Sequence, residues 1–181
     1  NDNPRTADFT AMPATGSGDE GTTPVLIEVG LSSANPDADS KIAYEATGGT
    51  AIDGSDFFFS NDTLVIPAGD LTADIPLSII DDALFENAET IEIELIGTGS
   101  LNTNLGTNTL FTFTINDNDA APSVSFESPS AGGSESFQTV WVGVSLSAVS
   151  DLDAQVDYDI TGVTAAGGSD SDSGSGAGVG F

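Results

Sequence analysis

Residues 79–95 decide the fold that this sequence predicts: Ile79-Ile-Asp-Asp-Ala-Leu-Phe-Glu-Asn-Ala-Glu-Thr-Ile-Glu-Ile-Glu-Leu95. In the second half of this stretch, Ile91, Ile93 and Leu95 alternate with glutamates. Successive side chains of a β-strand point to opposite faces, so the apolar residues share one face and the carboxylates share the other. The alternation predicts a half-buried strand of an antiparallel sheet.

The first half of the same stretch places four carboxylates between two strand-like runs, on Asp81, Asp82, Glu86 and Glu89. Two carboxylates about 4 Å apart repel each other by roughly 4 kcal/mol at an effective dielectric constant near 20. Ca²⁺ binds about 6–8 oxygen ligands and converts such repulsion into coordination. Because the chain has only two basic residues against 29 acidic ones, the cluster predicts a calcium site.

Other short runs show the same alternation, and turn-forming residues separate them. Val25, Ile27, Val29 and Leu31 share one face of a second predicted strand, and a third strand places three apolar side chains on one face, Phe111, Phe113 and Ile115. Turn signals rich in Gly, Pro, Asn and Asp lie at 34–37, 47–50, 67–70 and 97–100. Short strands at this spacing predict an all-β antiparallel β-sandwich.

The composition excludes several classes of function. The net charge of −27 argues against nucleic acid and anionic membrane surfaces as partners, because both are bound through Lys and Arg. The sequence has no His and no Cys, which removes zinc-finger ligands, thiolate nucleophiles, disulfides and histidine-based triads. No apolar run is long enough to cross a membrane. We predict a protein that is not an enzyme and that lies outside the cell or on its surface.

An internal repeat predicts the domain organisation. The motifs Ala7-Asp-Phe-Thr10, Val25–Leu31, Ile42-Ala-Tyr44 and Gly54-Ser-Asp56 recur in order as Ser123-Val-Ser-Phe126, Val140–Leu146, Val156-Asp-Tyr158 and Gly168-Ser-Asp170. The same offset, about one domain length, separates each of the last two pairs. We expect the tail of a preceding repeat at 1–4, a complete domain at 5–119, and the N-terminal half of a second domain at 120–181.

These motifs resemble the Calx-beta domain family. The resemblance rests on four elements in order: Glu20 after the first strand, Gly49-Thr-Ala-Ile-Asp-Gly-Ser-Asp56-Phe57, the Ile79–Glu89 loop, and the closing Asp117-Asn-Asp119. It covers nearly all of residues 5–119. The resemblance implies a seven-stranded immunoglobulin-like sandwich, with several Ca²⁺ ions bound together at one end.

The resemblance also implies the ligands. They would be the carboxylates of Glu20, Asp56, Asp81, Asp82, Glu86, Glu89, Asp117 and Asp119, the carbonyl oxygen of Leu84, and Asn118 as a further candidate. This chain departs from the family pattern at Phe57, usually Tyr, at Ala83, often a third Asp, and at Asn118, usually acidic. Each departure removes a polar or anionic group, so one ion would bind weakly or be absent. The alternative for each acid is a solvated residue that keeps a strand end soluble.

Together these features predict a calcium-binding structural or adhesive module of a secreted repeat protein. Its partners would be neighbouring repeats, and Ca²⁺ would fix the linker that begins at Asp119 and ends at Pro122. One alternative is a calcium-sensing regulatory domain of a larger protein. Another is a filament subunit whose half-domain at 120–181 is completed by a strand from an identical subunit.

Overall fold

A computed structural model describes residues 5–134, 136, 139–159 and 161. Two features of the predicted repeat lie outside the described residues: the tail at 1–4 and the Gly168-Ser-Asp170 motif. The chain forms two compact units. Among the described residues, the first comprises those up to Asp82 together with Asn87–Asn118, and the second comprises Ala83–Glu86 together with those from Asp119 onward.

The first unit consists of β-strands and their connections, and no helix occurs in the part of the chain that the structure describes. The bounds of its strands are β1 Thr6–Phe9, β2 Thr15–Asp19, β3 Val25–Leu31, β4 Ser40–Gly49, β5 Phe57–Phe58, β6 Asp62–Ile66, β7 Thr72–Ile79, β8 Glu89–Leu101, β9 Asn104–Leu105 and β10 Leu110–Asn116. The number of strands exceeds the seven that the resemblance implies. The difference arises because β5 and β9 are short additional strands and the first strand is divided into β1 and β2.

Two five-stranded sheets build the sandwich. One has the order β5-β7-β3-β1-β9 and the other has the order β2-β10-β8-β4-β6. The chain passes from the first sheet to the second between β1 and β2. There β1 pairs parallel with β9, and β2 pairs parallel with β10. The remaining pairings within both sheets are antiparallel. The predicted immunoglobulin-like β-sandwich is confirmed.

The core lies between the two sheets, on the faces that the alternation predicts. Ile91, Ile93 and Leu95 in β8 are buried, whereas the glutamates between them are only partly covered. The same pattern holds in β3 and β10, where Ile27, Val29 and Leu31 and then Phe111, Phe113 and Ile115 are buried. Two-residue periodicity therefore identified the buried face of each of these strands correctly.

Two of the four turn predictions were wrong. The 67–70 turn is present, with the amide of Asp70 donating to Pro67 O at 3.0 Å. The segments 47–50 and 97–100 instead extend β4 and β8, whose pairing contains register shifts. Gly49 has φ +113°, and a Cβ there would collide with the Thr90 carbonyl in β8. Glycine here permits a bulge and a close contact between strands. Because glycine is equally compatible with a turn, its presence in the sequence did not distinguish the two structures.

The second unit contains a single two-stranded sheet among its described residues. Its strands, β11 Val124–Phe126 and β12 Val144–Leu146, pair antiparallel. The predicted strand at Val140–Leu146 is shorter than expected, and Val140 and Val142 are 60% and 58% exposed. Apolar alternation forms a strand only where another strand pairs with it, and β11 pairs with residues 144–146 alone.

Among the described residues, no helix is both long and apolar enough to span a membrane.

Candidate metal centre

Strand pairing brings the acidic loops of the sequence together. The parallel register of β2 and β10 sets Asp19 beside Asn116, and the amide of Glu20 donates to Asn116 O at 3.0 Å. The antiparallel register of β10 and β8 sets Ile115 opposite Glu89. Residues that are distant in sequence therefore meet where β2 and β10 end and β8 begins.

A similar contact positions Asp56. Phe57 pairs with Ile79 at the end of β7, and the amide of Ile80 donates to Asp56 O at 2.9 Å. The Asp56 carboxylate accepts a hydrogen bond from the amide of Ile52 at 2.6 Å. This turn fixes the carboxylate beside the start of the predicted acidic loop.

Six of the sequence-predicted acids form two groups. Glu20, Asp117 and Asp119 each offer one carboxylate oxygen, and these three atoms lie within 4.8 Å of one another. Asp56, Glu86 and Glu89 meet the same criterion. All six residues are half-buried. Within the first group, Glu20 Oε2 and Asp119 Oδ2 are shielded from solvent.

The other predicted ligands lie outside these two groups. Asp81 and Asp82 are exposed and Leu84 is half-buried. Asp81 contacts Asn118, whose side-chain amide donates to Asp81 Oδ1 at 2.9 Å. The structure therefore places Asp81 next to the closing Asp117-Asn-Asp119 segment.

Two residues near the site were not identified from the sequence. Gly21 has φ +74°, and a Cβ there would lie 3.2 Å from Asp81 Cγ. The side-chain amide of Asn116 donates to Asp19 Oδ1 at 3.4 Å. A glycine directly after Glu20 was the available signal for Gly21, because left-handed backbone favours that residue. Asn116 has no comparable signal, since Asn at a strand end commonly has a local structural role.

The arrangement suits a hard cation. Carboxylates at this separation repel one another by about 4 kcal/mol per pair at an effective dielectric constant near 20. The chain has two basic residues, and both have other positions: Arg5 Nε donates to Ala34 O at 3.1 Å, and Lys41 lies in β4 opposite Val65. Clusters of half-buried oxygen donors are typical of Ca²⁺ and Mg²⁺ sites, whereas zinc and copper sites favour nitrogen or sulfur donors.

Fold and site together define a β-sandwich module with carboxylate groups at its strand ends. The family model of the Calx-beta domain matches residues 1–119 and again residues 117–177. The chain belongs to the Calx-beta domain family. The six acids of the two groups are among the ligands that the family resemblance implied. The comparison with curated proteins gave no significant match.

Solved structures with a similar fold include the apo form of the Calx CBD1 domain. It is 24% identical, with a TM-score of 0.56, and the alignment covers 64% of this chain and 99% of that one. CBD12 from CALX1.2 is also 24% identical, with a TM-score of 0.57 over 68% of this chain and 48% of the other. The calcium binding domain CBD12 of CALX1.1 has 24% identity and a TM-score of 0.56, over 67% of this chain. This chain thus spans about half the length of either CBD12 chain, and the likeness supports a shared β-sandwich fold.

Proposed function

We propose that this chain is a calcium-binding structural module, in which Ca²⁺ is a structural cofactor and not a reactant. The observation that supports the proposal is the pair of half-buried carboxylate groups, each with three oxygens within 4.8 Å. The bound cation would supply positive charge, which the sequence itself provides only through two residues. Folding and calcium binding would then be coupled, because the ion lowers the electrostatic cost of bringing these acids together.

The proposed ligands come from four segments: the β2–β3, β4–β5 and β7–β8 connections and the residues that follow β10. Glu20, Asp117 and Asp119 would hold one ion, and Asp56, Glu86 and Glu89 would hold another. The exposed Asp81 and Asp82, the Leu84 carbonyl and Asn118 are further candidates for completing the coordination. Calcium is favoured over magnesium because Ca²⁺ accepts irregular sets of about 6–8 oxygens, whereas Mg²⁺ requires a near-ideal octahedron.

The role that we propose is structural or adhesive, in a secreted or cell-surface array. Two consecutive matches to the family model support a tandem arrangement, so that the partners of each unit would be its neighbouring repeats. The strongly acidic composition suits calcium-containing surroundings outside the cell. The alternative, a calcium sensor, would have to bind Ca²⁺ more tightly than a structural module outside the cell.

Calorimetric titration with Ca²⁺ tests this function. A structural module outside the cell should bind with a Kd of about 0.1–1 mM, whereas a cytosolic sensor would bind at about 0.1–10 µM. Asp117→Asn and Asp56→Asn should each weaken the binding of one ion, because each removes charge from a different group. Asp74→Asn is the matched control, since Asp74 is exposed on β7, opposite Glu28. A wild-type titration without any binding heat, at several temperatures, would refute the calcium proposal.

The same proposal predicts that Ca²⁺ stiffens the linker. Asp117 and Asp119 are proposed ligands, and Asp119 is directly followed by Ala120, Ala121 and Pro122. An ion held by both acids would restrict the backbone that proline already limits on its other side. Amide exchange at Ala120 and Ala121 should slow at least several-fold in Ca²⁺, while exchange in the 67–70 turn stays unchanged. Equal exchange rates at these two alanines in Ca²⁺ and in chelator would contradict the stiffening.

A further inference from the structure

The side-chain amide of Asn118 contacts two other parts of the first unit. Its Nδ2 atom donates to Asp81 Oδ1 at 2.9 Å and to the backbone carbonyl of Glu20 at 3.2 Å. Asn118 is separated in sequence from these partners by 37 and 98 residues. A single NH₂ group, which has two protons to donate, thus joins the segment after β10 to the ends of β2 and β7.

The backbone beside this contact is closely packed. Gly21 follows Glu20 in a left-handed conformation, with φ +74°. A Cβ at this position would lie 3.3 Å from Asp81 Oδ1, the same oxygen that accepts the Asn118 hydrogen bond. The Asp81 carboxylate is therefore held between the Gly21 backbone and the Asn118 amide.

We propose that Asn118 is a positioning residue, whose amide holds Asp81 and the Glu20 carbonyl in place when no cation is bound. The inference deepens the proposed calcium function, because it assigns to a neutral side chain the task of keeping the acidic segments together in the ion-free protein. The Asn118 amide donates two protons to oxygen acceptors. An acidic residue at this position, between Asp117 and Asp119, would instead repel those oxygens.

The charge of the residue at position 118 distinguishes a positioning role from the role of a calcium ligand. An aspartate at position 118 has nearly the same shape as asparagine but carries no N–H donor, so it would face the Asp81 carboxylate with a like charge. In the absence of a cation this charge repels, and with Ca²⁺ bound it becomes an additional oxygen ligand. Alanine at the same position removes the donor and adds no ligand.

Thermal unfolding of the full chain and of three variants, in chelator and in 10 mM Ca²⁺, tests the inference. In chelator, Asn118→Asp should lower the Tm by about 5–10 °C and Asn118→Ala by about half as much, because a hydrogen bond to a charged group is lost in both and repulsion is added in one. In Ca²⁺, the Asp variant should regain the wild-type Tm because its carboxylate becomes a ligand, and the deficit of the Ala variant should shrink because the ion then holds the acidic segments together. A purely structural role would leave both variants equally impaired in the two buffers.

Asn104→Asp provides the control, since Asn104 is exposed in β9, outside both carboxylate groups, and the substitution adds the same charge. If Asn118→Asp and Asn118→Ala both melt within about 1 °C of the Asn104→Asp protein in chelator, Asn118 has no positioning role. Should Asn118→Asp fail to fold in chelator, the Tm of Asn118→Ala decides the question alone. A wild-type Tm that does not respond to Ca²⁺ would overturn the proposed function, whereas the chelator comparison would still test the amide.

Discussion

Saturating Ca²⁺ should raise the Tm of this protein by about 10 °C or more. At a Ca²⁺ concentration about 1,000 times the Kd, mass action stabilises the folded state by roughly 4 kcal/mol for each independent site. For a domain of this size, each kcal/mol raises the Tm by about 2–8 °C. Two separate carboxylate groups are present, so the effect should exceed that of any single substitution at the protein surface.

Glu89→Gln should remove about half of this calcium-dependent rise, because Glu89 belongs to one of the two groups. Glu92→Gln is a matched control in the same strand, since Glu92 lies opposite Thr112 on the outward face of β8. Differential scanning calorimetry in Ca²⁺ and in chelator measures both proteins. A rise in Glu89→Gln equal to that in Glu92→Gln would exclude Glu89 from calcium binding.

Phe9→Ala should lower the free energy of unfolding by about 3–5 kcal/mol, the cost of deleting a large buried ring. Phe9 is 1% exposed and packs against Phe111 of the other sheet, with ring centroids 5.3 Å apart and planes tilted by 47°. Loss of this aromatic pair adds to the cost of the cavity. The residue also fixes the point at which the chain leaves the first sheet, because its amide donates to Asn108 O at 2.9 Å.

Chemical denaturation measures this loss, and Phe58→Ala is the control. Phe58 is 61% exposed on β5, so its removal should cost less than about 1 kcal/mol. The destabilisation by Phe9→Ala should be similar in Ca²⁺ and in chelator, because the ring lies in the core. Similar unfolding free energies for the two alanine variants would show that the β1 segment contributes little to the folded state.

The sequence predicted the central strands because their pattern depends only on which side of the sheet is buried. In β8 and β10 the side chains alternate strictly, and no other local structure matches that period. The extent of each strand was less predictable. Gly49 could have formed a turn, but it allows β4 to continue against Thr90, a contact that depends on a segment distant in the sequence.

The acids of the candidate site could be named from motifs, but not their grouping. Which carboxylates meet is set by pairing register, such as that of Asp19 with Asn116, which are 97 residues apart in sequence. A shift by one residue would turn each side chain to the opposite face. The contact of the Asn118 amide with Asp81 was equally inaccessible, because an asparagine between two aspartates indicates only the loss of a charge.

The passage of the first strand from one sheet to the other has a mechanical consequence. Because β2 runs parallel to β10, tension that pulls Thr15 and Asn116 apart along the strands acts across all five residue pairs of their register at once. Antiparallel neighbours pulled from one shared end would instead separate pair by pair. In shear, the hydrogen bonds must break together, and resistance to force then depends on the rate of unfolding more than on its free energy. Each sheet thus carries, at one edge, a parallel pair whose hydrogen bonds are loaded in shear when the chain is stretched along the strands.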